Sequence, residues 1–78
     1  MKILVSYNEA VDRLIIKINE CQKTLYEISE ESGVSYNIII LIKNKYKKHY
    51  PNSVVKLFKY FGMKATVIKA FEIVITDN

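Results

Sequence analysis

The sequence predicts a small, mainly helical α+β domain in which four helices lie between a short N-terminal strand and a long C-terminal strand. Three observations support this fold class. Apolar residues recur at helical spacing between residues 9 and 61. They alternate with a period of two over residues 65–76. A chain of 78 residues can bury only one core, so we expect a single domain over residues 1–78.

The first two predicted elements are a strand over residues 2–7 and a helix over residues 9–22. The strand segment is rich in residues that favour extended backbone, and Asn8 after it is a good helix N-cap. One helical face then collects the apolar residues Val11, Leu14, Ile15 and Ile18.

The second helix has clear signals at both ends. Thr24 and Glu27 form a capping-box pattern, which predicts that the helix begins at Leu25. Gly33 can adopt the left-handed backbone that closes a helix. Ser35 is a predicted N-cap for the next helix, so the turn between the second and third helices must be very short.

The third and fourth helices are predicted from their apolar stripes. The third is expected to pack through Ile39, Ile42 and Tyr46. The fourth is expected to begin after an N-cap at Asn52 and to end near residue 61. Its stripe consists of Val54, Leu57, Phe58 and Phe61.

The C-terminal segment, residues 65–76, is predicted to be one long dimerisation strand. Its apolar face exceeds what the short N-terminal strand can cover, and an open apolar edge invites association. The residues expected at the dimer interface are Val67, Phe71, Ile73 and Ile75. The alternative is an intramolecular sheet that covers the helices of a monomer.

The composition argues against several classes of protein. For a metal site or a Cys/His nucleophile pair the chain offers no candidates beyond Cys21 and His49, and its two distant glycines exclude a phosphate-binding glycine loop. We therefore expect no enzymatic activity, no metal and no cofactor. The apolar run at residues 3–5 is too short for a signal peptide or a membrane span, so a cytoplasmic protein without membrane contact is expected.

The charges are unevenly distributed along the chain. Between Glu31 and Glu72 there are eight lysines and no acidic residue, although the whole chain carries only +4. This separation of charge indicates a polyanionic partner. The alternative is that the lysines serve solubility alone.

The segment from Thr24 to Met63 contains several constraints of a helix-turn-helix. Ser29 is small where two helices cross, and Gly33 makes the turn. Four apolar residues are spaced to anchor the two helices: Ile28, Val34, Ile39 and Ile42. Through residues 24–35 and 51–63, the chain resembles the Cro/repressor-like (XRE) helix-turn-helix family over residues 9–63. The family usually has a glutamine at the position of Leu25.

The resemblance implies a repressor-like domain that binds double-stranded DNA as a homodimer, typical of phage- or plasmid-type transcriptional regulators. The base-reading residues it implies are Ser35, Tyr36, Asn37, Ile40, Leu41 and Asn44. Asparagine can pair with adenine, while isoleucine and leucine can contact the thymine methyl group, so we expect an A·T-leaning palindromic operator. The expected phosphate contacts are Thr24, Lys43, Lys45, Lys47 and Lys48.

A second interpretation uses the same surface differently. Ile38, Ile40 and Leu41 make the third helix unusually apolar, and an exposed apolar patch is also typical of a protein-binding site. The chain would then be an antitoxin-like or accessory interaction module whose partner is a toxin or another regulator.

Overall fold

The structure, a computed structural model, describes residues 2–69 and 72–76. The chain forms an α+β domain with four helices and a three-stranded antiparallel sheet, which confirms the predicted class. The elements in order are β1 (Lys2–Ser6), α1 (Tyr7–Glu20), α2 (Leu25–Ser32), α3 (Tyr36–Lys43), α4 (Pro51–Tyr60), β2 (Lys64–Lys69) and β3 (Glu72–Thr76).

Two helices begin earlier than the sequence predicts. The N-cap of α1 is Ser6, whose hydroxyl accepts the Glu9 N–H at 3.1 Å, so Asn8 lies inside the helix. The helix α4 begins at Pro51, and Asn52 is its second residue. Proline suits the first turn because its fixed φ is helical and its missing N–H would have no helical partner there.

The predicted long C-terminal strand is wrong, because the chain reverses between β2 and β3. These strands pair antiparallel, with Ala65 opposite Ile75 and Val67 opposite Ile73. Apolar and polar residues alternate in both strands of a hairpin as they do in one long strand, so the period alone does not reveal the reversal.

The strand order is β1-β3-β2, which places β3 in the centre of the sheet. Ile73 and Ile75 are each 1% exposed and pack in the core of the single chain, so they cannot form a dimer interface. Val67 is half-buried on the same sheet face, and Phe71 lies outside the described residues. The intramolecular sheet, which was the alternative, is the arrangement observed.

The core joins the inner face of the sheet to all four helices. Predicted core residues from each helix are buried together, among them Leu14, Ile28, Ile39 and Leu57. Phe61 is only half-buried, and Phe58 takes the central position in α4. No helix in the described part of the chain is long and apolar enough to cross a membrane.

Tyr46 is not part of the third helix's packing face, contrary to the sequence prediction. The helix α3 ends at Lys43, so helical spacing no longer applies at residue 46. The Tyr46 side chain is 58% exposed.

Candidate nucleic-acid interface

The turn at residues 33–35 joins α2 to α3 and is fixed by hydrogen bonds. Gly33 has a φ of +78°, and its N–H donates to the Ser29 carbonyl at 3.1 Å. The Ser29 hydroxyl donates to the Val34 carbonyl at 2.7 Å, and the Ser32 hydroxyl accepts the Val34 N–H at 3.2 Å. The sequence suggested only that Ser29 must be small, whereas its hydroxyl also closes the turn.

Buried apolar side chains fix the orientation of α3. Ile28 of α2, Val34 of the turn, and Ile39 and Ile42 of α3 are all buried in the common core. Because core side chains are closely packed, these contacts restrict how α3 can rotate about its axis. The face of α3 that lies away from the core therefore has a fixed orientation relative to the rest of the chain.

The outward face of α3 carries the residues predicted to read bases. Asn37 and Asn44 are exposed, and Tyr36 is 44% exposed. Ser35 is the N-cap residue, and its side chain makes no capping hydrogen bond, which leaves the hydroxyl for a ligand. Ile40 and Leu41 are half-buried on the same helix. Amide, hydroxyl and apolar groups are thus combined on one helix.

The predicted phosphate-binding lysines do not all have the same surroundings. Lys43, Lys47 and Lys48 are exposed at the end of α3 and in the loop at residues 44–50. Lys45 is also exposed, but its ammonium pairs with the Asp12 carboxylate of α1 at 2.5 Å. Its backbone is left-handed, with a φ of +55°. In this arrangement Lys45 is directed to Asp12 rather than to a separate anion.

Thr24 is at the predicted start of α2, and the capping box forms there. Its hydroxyl accepts the Glu27 N–H at 3.1 Å, while its own N–H donates to Glu27 Oε1 at 2.9 Å. A threonine hydroxyl can accept and donate at the same time, so the proton of this exposed hydroxyl is still available to a phosphate oxygen.

Leu25 follows the cap, at the position where the resembled family usually has glutamine. Its side chain is half-buried and packs against the core. The apolar residue therefore stabilises the start of α2 from inside, and offers no polar group to a ligand.

The loop at residues 44–50 is anchored by a residue that sequence reasoning did not single out. The hydroxyl of Tyr7 accepts the Tyr50 N–H at 2.9 Å, and its ring stacks on His49 with centroids 4.0 Å apart. The phenol is protonated at neutral pH, and burial raises the pKa of Tyr7 further above its usual value of 10.0. Tyr7 thus connects the start of α1 to the loop that carries Lys47 and Lys48.

A second polar cluster connects α2 to α4. The Glu31 carboxylate accepts hydrogen bonds from the Lys23 ammonium and from the Tyr60 hydroxyl, the latter at 2.6 Å. The Lys23 hydrogen bond and then the Tyr60 hydrogen bond lower the pKa of Glu31. The same carboxylate raises the pKa of Lys23 and of Tyr60. These groups are exposed, so water weakens each interaction.

The described residues also form a cleft beside α1. Among the described residues, no group of three or more histidine, cysteine or acidic side chains is placed to hold a metal ion. A cleft of about 280 Å³ lies between α1 and residues 42–46, where Tyr7, Asp12 and Lys45 contribute to its walls. The Asp12–Lys45 ion pair forms part of the wall of this cleft.

The chain was compared with known proteins by family, by sequence and by structure. It matches no protein-family model, no curated protein and no solved structure.

Proposed function

We propose that the chain binds double-stranded DNA in a sequence-specific manner, as a transcriptional regulator of phage- or plasmid-repressor type. In this proposal α2 and α3 form a helix-turn-helix of the Cro/repressor-like family, and α3 enters the major groove. The observation that supports it best is the exposure of Tyr36, Asn37 and Asn44 on a short, firmly anchored helix beside three exposed lysines.

Base reading is assigned to the outward face of α3. The side-chain amides of Asn37 and Asn44 can donate to and accept from the major-groove edge of adenine. Ile40 and Leu41 are half-buried, so each still exposes part of its side chain to a thymine methyl group. This set of residues contains no arginine to pair with guanine, which favours A·T-leaning sites.

Phosphate binding is assigned to Lys43, Lys47, Lys48 and the Thr24 hydroxyl. Of the carboxylates near these groups, Asp12 is paired with Lys45, whereas Glu27 accepts a hydrogen bond in the capping box and keeps its negative charge. Lys45 joins the phosphate contacts only if its ion pair with Asp12 opens.

Two copies of the chain are expected to bind one palindromic operator, because a single recognition helix contacts few bases. Half-sites in such complexes are about 34–36 Å apart. The surface that pairs the two copies is not the inner face of β3, which is buried within each chain. The edge strands β1 and β2 and the outer face of the sheet are the surfaces open to a second copy.

Selection of bound duplexes from random DNA at near-physiological salt tests the proposal directly. We expect an enriched, A·T-leaning palindrome. Replacing Asn37 with alanine should relax the preference at one position, with a cost of about 1–3 kcal/mol at that base pair. A selection that enriches no sequence contradicts the proposed function.

A matched pair of double variants tests the phosphate surface. Lys47→Ala with Lys48→Ala should weaken binding to all sequences alike. It should also reduce the magnitude of the slope of log affinity against log salt concentration, the salt slope, by about two. Lys56→Ala with Lys59→Ala removes the same charge from α4 and should have a clearly smaller effect. Equal losses in the two double variants would mean that binding depends on net charge, and not on the surface beside α3.

The alternative function is protein binding through α3, as in an antitoxin-like or accessory module. Ile38 packs against the core, so this surface depends on Ile40 and Leu41. A contact made by these apolar side chains should persist at high salt, whereas DNA binding weakens as salt increases. Ile40→Ser would then abolish capture of the protein partner, while the Lys47 and Lys48 variants would not.

A further inference from the structure

The groove between α4 and the edge strand β2 is a second candidate binding surface, formed by elements other than α3. It has a volume of about 490 Å³, within the range typical of ligand pockets. Its lining includes three half-buried apolar side chains, Val55, Met63 and Ala65, together with the exposed residues Lys59, Lys64 and Thr66. We call this surface the β2 groove.

The backbone of β2 can accept another strand. Among the described strands, β2 has a neighbour on one side only, because the order is β1-β3-β2. The outer N–H and C=O groups of an edge strand are a template for pairing. A bulge between Val67 and Lys69 interrupts the register, so the regular part of this edge is residues 64–67.

The sheet register predicts which side chains an added strand should carry. Ala65 lies in the row of Ile75 and Ile3, the first of which is buried on the helix side of the sheet. An added residue in this row would point towards the apolar lining of the groove. The neighbouring row contains Lys2, Thr76 and Lys64 on the outer face. An added residue there would lie beside the Lys64 ammonium.

The positive charges of the groove favour an acidic partner. The ion pairs among the described residues do not include Lys59 or Lys64. Both ammonium groups can therefore pair with carboxylates of a partner. A second copy of this chain fits poorly, because its β2 strand carries Lys64 and Lys69 and no acidic residue, and would add positive charge to the groove. Like charges directly opposite each other destabilise a strand pair.

We propose that the β2 groove binds an extended acidic segment of a partner protein, in which acidic and apolar residues alternate. The segment adds to the edge of β2 as a fourth strand. Its apolar side chains fill the space beside Val55 and Met63, and its carboxylates lie on the outer face beside Lys64. Lys59 of α4 adds a second positive charge at the helix side of the groove and attracts the acidic segment as a whole. Backbone hydrogen bonds supply affinity, and the alternating pockets supply specificity, as in other strand-addition complexes. This proposal does not depend on DNA binding by α3.

The probe is a short fluorescein-labelled peptide in which glutamate alternates with valine, titrated with the full chain and followed by fluorescence anisotropy. We expect saturable binding that weakens with salt. A peptide with lysine in place of glutamate should not bind. A peptide with alanine in place of valine should bind more weakly, because it leaves the apolar lining uncovered.

Single charge reversals locate the site on the protein. Lys59→Glu and Lys64→Glu should each weaken binding of the glutamate peptide by about threefold to tenfold. Each reversal loses an exposed ion pair and adds a repulsion between like charges. Lys17→Glu reverses an exposed charge on α1, outside the groove, and should change the affinity by less than about twofold. Equal effects of all three variants would overturn the proposal.

Two further measurements test strand addition and the nature of the partner. N-methylation of alternate peptide residues along one edge should abolish binding, and methylation along the other edge should not, because only one edge faces β2. Binding that is insensitive to both overturns strand addition. Competition by duplex DNA that depends on Lys59 and Lys64 would identify a nucleic-acid surface instead. Dissociation of a dimer by the peptide, seen in sedimentation velocity, would identify a second copy as the occupant.

Discussion

The turn at residues 33–35 and the loop at residues 44–50 hold the two ends of α3 by different kinds of contact. The turn is fixed by neighbours in the sequence, including Gly33 and the Ser29 hydroxyl. The loop is fixed by α1, through the Tyr7–Tyr50 hydrogen bond, the Tyr7–His49 stack and the Asp12–Lys45 ion pair. The helix α3 is thus positioned by local contacts at its start and by long-range contacts at its end.

The largest expected effect is that of Tyr7→Phe, which tests the long-range anchor. The variant keeps the ring but leaves the part-buried Tyr50 N–H without its acceptor, which should lower the free energy of unfolding by about 1–3 kcal/mol. Denaturant unfolding gives this value. Native-state hydrogen exchange should increase in the loop at residues 44–50 and not at residues 33–35. Faster exchange at both ends would show that the two connections are not independent.

The same variant has a pH signature. Because burial raises the folded-state pKa of Tyr7, its protonated form is favoured by folding. This contribution is complete below the unfolded pKa of about 10 and is lost as the pH rises through the folded value. Tyr7→Phe should therefore lose less stability between neutral pH and pH 11 than the parent chain does, as measured by thermal unfolding.

Gly33→Ala tests the local connection. Apart from the two chain neighbours of Gly33, no atom of the described residues lies within 4 Å of the position of the added Cβ, so the left-handed backbone is what opposes the substitution. We expect a cost of about 1–2 kcal/mol and weaker DNA binding, because the start of α3 would shift. Gly62→Ala is the matched control, since Gly62 has a φ of +83° and equally open surroundings. It should cost similar stability while leaving DNA binding intact.

Thr24→Ala removes the cap of α2 and should cost about 1 kcal/mol. Thr24→Ser keeps a hydroxyl that can accept the Glu27 N–H and should restore most of that stability, together with the proposed phosphate contact. Thermal unfolding and a gel shift on the same two variants separate the two roles. If Thr24→Ala retains full DNA affinity, the hydroxyl has no part in phosphate binding.

Asp12→Asn should have a small effect on stability, about 0–1 kcal/mol, because the Asp12–Lys45 pair is exposed. It should release Lys45 for phosphate binding and increase the salt slope of DNA binding by about one. Glu9→Gln, which breaks the Glu9–Arg13 pair on the same helix, is the control for lost negative charge. An unchanged slope in Asp12→Asn would exclude Lys45 from the interface.

The smallest expected effect concerns Glu31, where α2 contacts α4. Its lowered folded-state pKa means that the ionised carboxylate stabilises the fold above the usual glutamate value of 4.5. This stabilisation is lost as the pH falls through the folded value. Glu31→Gln should therefore weaken the acid dependence of stability slightly, and Glu30→Gln, an exposed neighbour, should not. Identical acid titrations of the two variants would contradict this.

The sequence predicted the parts of α3's surroundings that depend on neighbours along the chain. The capping box at Thr24, the left-handed Gly33 and the buried Ile39 all follow from short-range patterns. The loop contacts could not be predicted in the same way. Tyr7 and Tyr50 are 43 positions apart, and no periodicity joins them.

The sheet was only partly predictable for a related reason. The alternating pattern correctly identified extended backbone, but it carries no information on chain direction, and no glycine or proline marks the reversal between β2 and β3. The predicted dimer residues Ile73 and Ile75 were consequently assigned to a surface instead of to the core. The predicted base-reading face of α3 is exposed in part. The helical period that identifies the buried residues of α3 also identifies the residues on its opposite face.

The central position of β3 has a consequence for folding during protein synthesis. The strand β3 is the last of the described elements to leave the ribosome, yet β1 pairs with no other described strand. The partner of Val5 in the sheet is Ile73, so β1 has no strand to pair with while the four helices are being synthesised. Closing such a distant pair is slow compared with helix formation. Nascent chains that stop before β3 should therefore be cleaved by proteases faster, and bound by chaperones more strongly, than the released protein.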